Sequence, residues 1–384
     1  MTVPIPDEAA QRKRIVLIVA ASLVALAVVA GGAWAILRPD AANKAPVAYT
    51  PAEVTTASGP ATSSAVASAL AGEGTSATVL GSGAASSTAI PRSAKVAFHL
   101  GRTLYVANED GSNTAPLKVT ETEYALSPDG TSVAVVRGGK LEIVPVAGGN
   151  AAVAGAAEIA TPVWLPDSSA VLFVRADSNG VPSVWRVKRD GAGAKRVTTG
   201  QSVAVSGDGK TLAMLSTEAD ADAAQVTVVS NAGEPRKVEV SGGEPVAVAV
   251  ANGQLYVSTL SADGVTAIRV SALDGSGSRE LVSAVPAEGK TVTFGRLMPS
   301  QDGRSLAYAA DGDDGYSRIW VVPVAGGSPR QVTSRRDGYP LRWTADGERI
   351  LFFEGNSFQG ESSALWVANP DGTGRRMIVS GAVQ

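Results

Sequence analysis

Hydrophobic residues fall into three regimes along this chain. From Ile15 to Leu37 the sequence runs IVLIVAASLVALAVVAGGAWAIL without a charge. At about 1.5 Å per residue such a run spans a hydrocarbon core of about 30 Å, where only a helix pairs every backbone polar group internally. Arg12, Lys13 and Arg14 precede it, whereas only Arg38 and Lys44 follow closely. That bias predicts residues 1–14 in the cytoplasm, a transmembrane helix over 15–37, and the remainder outside. Ala33-Trp34-Ala35 has the small-x-small form of a cleavage site. The run exceeds the usual signal core of about 7–15 residues, so an uncleaved anchor is the expectation. From 38 to 93, Ala, Ser, Thr, Gly and Pro dominate, with no aromatic residue after Tyr49. Such a segment buries too little apolar surface to offset its ordering entropy, and a disordered linker is expected.

Beyond residue 93 the pattern becomes short apolar strands separated by turn residues. One unit is an apolar strand, a turn, then a basic strand. It begins with Leu104-Tyr105-Val106-Ala107 before Asp110-Gly111 and ends with Leu365-Trp366-Val367 before Asp371-Gly372. The second residues of these strands, Tyr105, Glu142, Trp185, Thr227, Arg269, Trp320 and Trp366, recur about every 44 residues. In every copy the turn begins five residues after that mark. A second unit precedes most copies, as in Leu126-Ser127-Pro128-Asp129-Gly130 before Val133, and Trp343-Thr344-Ala345-Asp346-Gly347 before Ile350. Pro fixes φ, Asp accepts from nearby amides and Gly takes positive φ, so both units are hairpins. Four short antiparallel strands per repeat make a propeller blade. The register predicts an all-β fold, a single β-propeller over 94–384, with seven blades favoured over six. The first copy lacks a clear innermost strand, and closure is expected to borrow one from the end of the linker.

The stretch LSPDGTSVAVV, with VWRVKRDGAGAKRVT and IWVVPVAGGSPRQVT further on, resembles the WD40-like Pro-Asp repeat of TolB-type bacterial propellers. The resemblance covers about residues 94–384 and implies a propeller that serves as an interaction scaffold. TolB propellers are six-bladed and follow an α/β domain in soluble periplasmic proteins. This chain carries an apolar run and a linker instead. Its Ala, Val, Gly and Arg usage suits a high-GC, actinobacterial source.

Composition narrows the chemistry. The 384 residues include no Cys and one His, which removes disulfides, thiolate metal sites, a lipidated cysteine and multi-His metal sites. Lys and Arg total 33 against 36 Asp and Glu, a net charge of −3, so no basic surplus points to nucleic acid. Gly-x-Ser-x-Gly, Walker A and His-Glu-x-x-His motifs are missing. No catalytic residue, metal or cofactor is assigned, and the chain is expected not to be an enzyme. His99, between Phe98 and Leu100, reads as a packed strand residue, and the repeat-equivalent Trp residues read as inter-blade core.

In a four-stranded blade the first–second and third–fourth turns share one face. The second–third turns share the other with the connections between blades. On that second face the turns are acidic: Asp177, Asp220, Asp222, Asp263, Asp311, Asp313 and Asp314 are the candidate partner-binding residues, with Glu218, Glu354 and Glu361 beside them. The run from Asp311 to Gly315 is dense in oxygen but lacks the rest of a calcium-loop pattern. The expected role is a membrane-anchored, extracytoplasmic interaction or scaffolding module, docking an envelope protein or cell-wall component. The alternatives are a calcium-dependent lactonase-like enzyme and a ligand sensor. Oligomeric state is left open.

Overall fold

The computed structural model describes residues 93–383 except 122, 157–158, 177–180, 217–223, 232, 286–291, 313–315, 334–337 and 356–362. The run Ile15–Leu37 and the linker lie outside the described residues. No helix among the described residues is long and apolar enough to cross a membrane.

Blade I holds β1 (Lys95–Leu100), β2 (Thr103–Asn108) and β3 (Ala115–Pro116). Blade II holds β4 (Tyr124–Leu126), β5 (Ser132–Arg137), β6 (Lys140–Pro145) and β7 (Ala152–Ala156). Blade III is β8 (Ile159–Trp164), β9 (Ala170–Ala176), β10 (Pro182–Lys188) and β11 (Lys195–Thr199). Blade IV is β12 (Ser202–Val205), β13 (Thr211–Ser216), β14 (Gln225–Ser230) and β15 (Arg236–Val238). Blade V is β16 (Glu244–Ala251), β17 (Gln254–Leu260), β18 (Thr266–Ala272) and β19 (Arg279–Ala284). Blade VI is β20 (Val292–Pro299), β21 (Ser305–Gly312), β22 (Ser317–Pro323) and β23 (Arg330–Gln331). Blade VII is β24 (Gly338–Trp343), β25 (Ile350–Glu354), β26 (Ala364–Ala368) and β27 (Arg376–Ser380), and β28 (Ala382–Val383) follows.

Among the described residues these strands form seven four-stranded antiparallel sheets, which settles the blade count at seven. Closure differs from expectation. The fourth strand of blade I is β28, pairing His99 with Val383 and Leu100 with Ala382, so the strand comes from the C-terminal end and not from the linker. Ala382 is fully buried there.

Second strands read as apolar runs because each lies between two neighbouring blades and is buried on both faces. Val133 to Val135, Leu306 to Ala309 and Ile350 to Phe353 are all buried. Alternation, the usual strand signal, fails where neither face meets water. The turns carry the register instead. The Ser127 hydroxyl donates to Asp129 at 2.6 Å and accepts from the Ser132 amide at 3.0 Å. Ser206–Asp208, Ser300–Asp302 and Thr344–Asp346 repeat the first contact. In the outer turns Asp110, Asp274 and Asp371 each accept from the amide and hydroxyl two residues on. The glycine that follows is fixed by close approach: a Cβ on Gly372 would sit 2.9 Å from the Gln331 carbonyl of blade VI.

Two tryptophans tie blades together at equivalent places. Trp164 donates to the Ala125 carbonyl of blade II at 2.9 Å, and Trp343 to the Met298 carbonyl of blade VI at 2.9 Å. Trp185 and Trp366 pack against the same inter-blade clusters. The tryptophans are core, as the repeat register indicates.

Candidate functional site

The candidate face is the one that carries the second–third turns. Asp263 stands exposed in the tight turn closed by the Gly264 amide on the Ser261 carbonyl at 3.0 Å. Asp177, Asp220, Asp222, Asp313 and Asp314, with Glu218 and Glu361, lie outside the described residues. The strands flanking those connections end on the same face as the Asp263 turn.

Asp311 belongs to β21 itself, opposite Thr293 on one side and Ser317 on the other. The neighbouring innermost strand bulges between Gly295 and Met298, and Arg296 in the bulge has φ +47°. The other described non-glycine residues with positive φ are Asn or Ser, which tolerate it; an arginine there marks local strain. The Arg296 guanidinium lies 5.6 Å from the ring centre of Tyr339 in blade VII. Burial of the Asp311 carboxyl pushes its pKa up, against the opposing pull of Ser317 and Arg296. Burial likewise pulls Arg296 down, against Tyr339 and Asp311. Asp311, exposed at the end of β21, thus exerts an attraction on the Arg296 of the neighbouring bulge that its sequence neighbours do not reveal.

Glu354 is corrected from a surface acid to a core one. Its side chain is 4% exposed and ion-paired with Arg375, whose guanidinium lies 5.1 Å from the Trp366 ring centre. In blade II, Arg137 bonds Glu121 at 2.7 Å and Glu142 at 2.7 Å. That guanidinium holds Glu121 down to about 2. Acid surplus is therefore not a property of the whole face; in blade II it is neutralised.

His99 is buried, with neither ring nitrogen hydrogen-bonded, and it meets the Tyr124 ring edge-on at 5.1 Å. Burial lowers its pKa, offset in part by Glu121. A histidine lowered by burial is neutral in the fold and takes a proton more readily when unfolded. Its contribution is complete above the unfolded value of about 6.5 and is lost as pH falls toward the folded value. Denaturation midpoints should fall between pH 7 and pH 5, and His99→Leu should flatten that fall. An undiminished fall in the variant would assign it to another group. Among the described residues no group of three His, Asp or Glu side chains is placed to hold a metal.

No protein-family model and no curated protein matches the sequence. Solved structures with a similar fold include a prolyl endopeptidase, at 14% identity and TM-score 0.57, covering 78% of this chain and 51% of that one. The β-propeller domain of the Trilobed protease from Pyrococcus furiosus matches at 10% identity and TM-score 0.54, covering 75% of this chain and 95% of that one. TolB from Acinetobacter baumannii matches at 12% identity and TM-score 0.45, covering 75% of this chain and 80% of that one. This chain spans about half the length of the prolyl endopeptidase structure. The likeness is one of fold. The chain is an all-β, seven-bladed propeller, with TolB proteins among its structural neighbours. One expectation is corrected by these matches. Missing catalytic motifs do not exclude enzymatic function, because propellers of this shape also occur within proteases.

Proposed function

We propose that this chain is a membrane-anchored propeller of actinobacterial type that acts outside the membrane as a protein-interaction module of the cell envelope. The uncharged run Ile15–Leu37 with its upstream basic triplet supports the anchor and its orientation. The observation that carries the interaction role is the second–third face itself. A rigid seven-blade ring presents Asp263 to solvent, and the sequence places five further aspartates of the candidate set in equivalent connections. Such a surface attracts a basic partner, either an envelope protein or a cationic wall component. Asp311, exposed at the end of β21, belongs to the same candidate set and also attracts Arg296.

The test is capture from detergent-solubilised envelope by the full chain and by the Asp263→Lys/Asp313→Lys/Asp314→Lys variant. A partner that the wild type retains at low salt and sheds near 0.5 M salt should be lost by the variant. Equal capture by both would overturn the reading.

A further inference from the structure

The rims of blades III to VII share a pattern of charge. In blades III to VII the outermost strand starts with a cation at one register position: Lys195, Arg236, Arg279, Arg330 and Arg376. All five are exposed. Across the next seam, Arg236 acts on Asp274, Arg330 on Asp371 and Arg376 on Asp110, each pairing in charge with the outer-turn aspartate of the following blade. Arg279 instead donates to the Val324 carbonyl of blade VI. The Asp-Gly turns also press onto the preceding blade: a Cβ on Gly275 would lie 2.9 Å from Val238.

Lys195 has no such counterpart. The following outer turn, in blade IV, reads Asn-Ala-Gly and lacks the aspartate. A Cβ on Gly233 would meet the Ser230 carbonyl of its own turn at 3.0 Å. Glu234, which follows that turn in sequence, makes no ion pair among the described residues. Blade III deepens the deficit. Lys195 stands directly opposite Arg186, an unfavourable like-charge pair, and Lys188 shares that face of β10 two residues on. An open groove of about 480 Å³ here is lined by Ser169, Arg186, Lys188, Arg189 and Asp190. Arg189 is taken by Asp129 of blade II at 2.6 Å, and the Asp190 carboxylate accepts from its own turn at Ala192. Arg186, Lys188 and Lys195 are left without an acidic or carbonyl partner among the described residues.

We propose that this groove on the outer rim of blade III, with Lys195 beside it, binds a phosphate-bearing ligand. With Arg189 matched by Asp129, the lining cations Arg186 and Lys188 and the neighbouring Lys195 outnumber the one lining carboxylate, Asp190, and this positive excess suits the multiple charge of a phosphate better than a lone carboxylate. The arginine fork grips two oxygens while the lysines supply point charge. The groove lies on the face opposite Asp263, so it is independent of the docking surface proposed above. The chain also enters the propeller on this face, where the Ser93 amide bonds the Pro128 carbonyl at 2.6 Å. The phosphate is that of a lipid headgroup or of a soluble ligand, and the two are separable.

The full chain in detergent is titrated by calorimetry with tripolyphosphate and with glycerophosphoglycerol, a headgroup without tails. At least one should bind, and more weakly as salt is raised. The Arg186→Gln/Lys188→Gln/Lys195→Gln variant should lose about tenfold or more in affinity, since charge-assisted hydrogen bonds are removed. Arg304→Gln, a highly exposed cation elsewhere on the same face, should leave it unchanged. Stronger binding of glycerophosphoglycerol assigns the headgroup, and stronger binding of tripolyphosphate assigns a soluble ligand. Failure of both probes, or wild-type affinity in the triple variant, overturns the proposal.

Discussion

Trp343→Ala is expected to lower the stability of the propeller by about 3–5 kcal/mol, the range for removing a large buried aromatic side chain. Trp343 is 5% exposed and sits in one cluster with Ile319 and Val321 of blade VI and Ile350 and Phe352 of blade VII. Its loss therefore opens a void at the seam between two blades rather than inside one. The indole also satisfies the Met298 carbonyl next to the bulged stretch that carries Arg296. Trp343→Phe separates these contributions. It keeps most of the apolar surface and orphans only the carbonyl, a cost of about 1–3 kcal/mol. Urea denaturation of the wild type and both variants reads the difference. Equal, small losses in the two variants would show that the seam does not depend on this side chain.

The features legible in the sequence were those written locally. An Asp-Gly turn declares itself within five residues, because the aspartate bonds the amide two positions on and the glycine takes the positive φ. Repeating that turn at fixed distance from a marked strand position is enough to count seven blades. Trp164 and Trp343 are recognisable for the same reason, as both occupy one place in the repeat. What stayed hidden depends on contacts distant in sequence. The closing strand is only Ala382–Val383, too short to show a pattern, and its partner is the first strand of the ring. Asp311 looks like one more acid in an acidic run, and the charge of Arg296 in the bulge of β20 acts on it from a distant stretch of sequence. Ala115 and Ala152 are unremarkable alone, yet they occupy the rim position where blades III to VII carry a cation.

Glu354 is the clearest case, and it carries the second large effect. Arg375→Met should cost about 3 kcal/mol or more, because it leaves a carboxylate that is 4% exposed without its cation. The reverse deletion, Glu354→Gln, should cost less. Arg375 keeps 23% exposure and its stacking on Trp366 and Phe352, so its charge can still be solvated. Combining the two removes both charges together and should recover much of the loss, since burying the ion pair is itself expensive and its net gain is small. Unfolding free energies for the four proteins complete the cycle. A double variant as unstable as the sum of the singles would mean that Glu354 and Arg375 act independently.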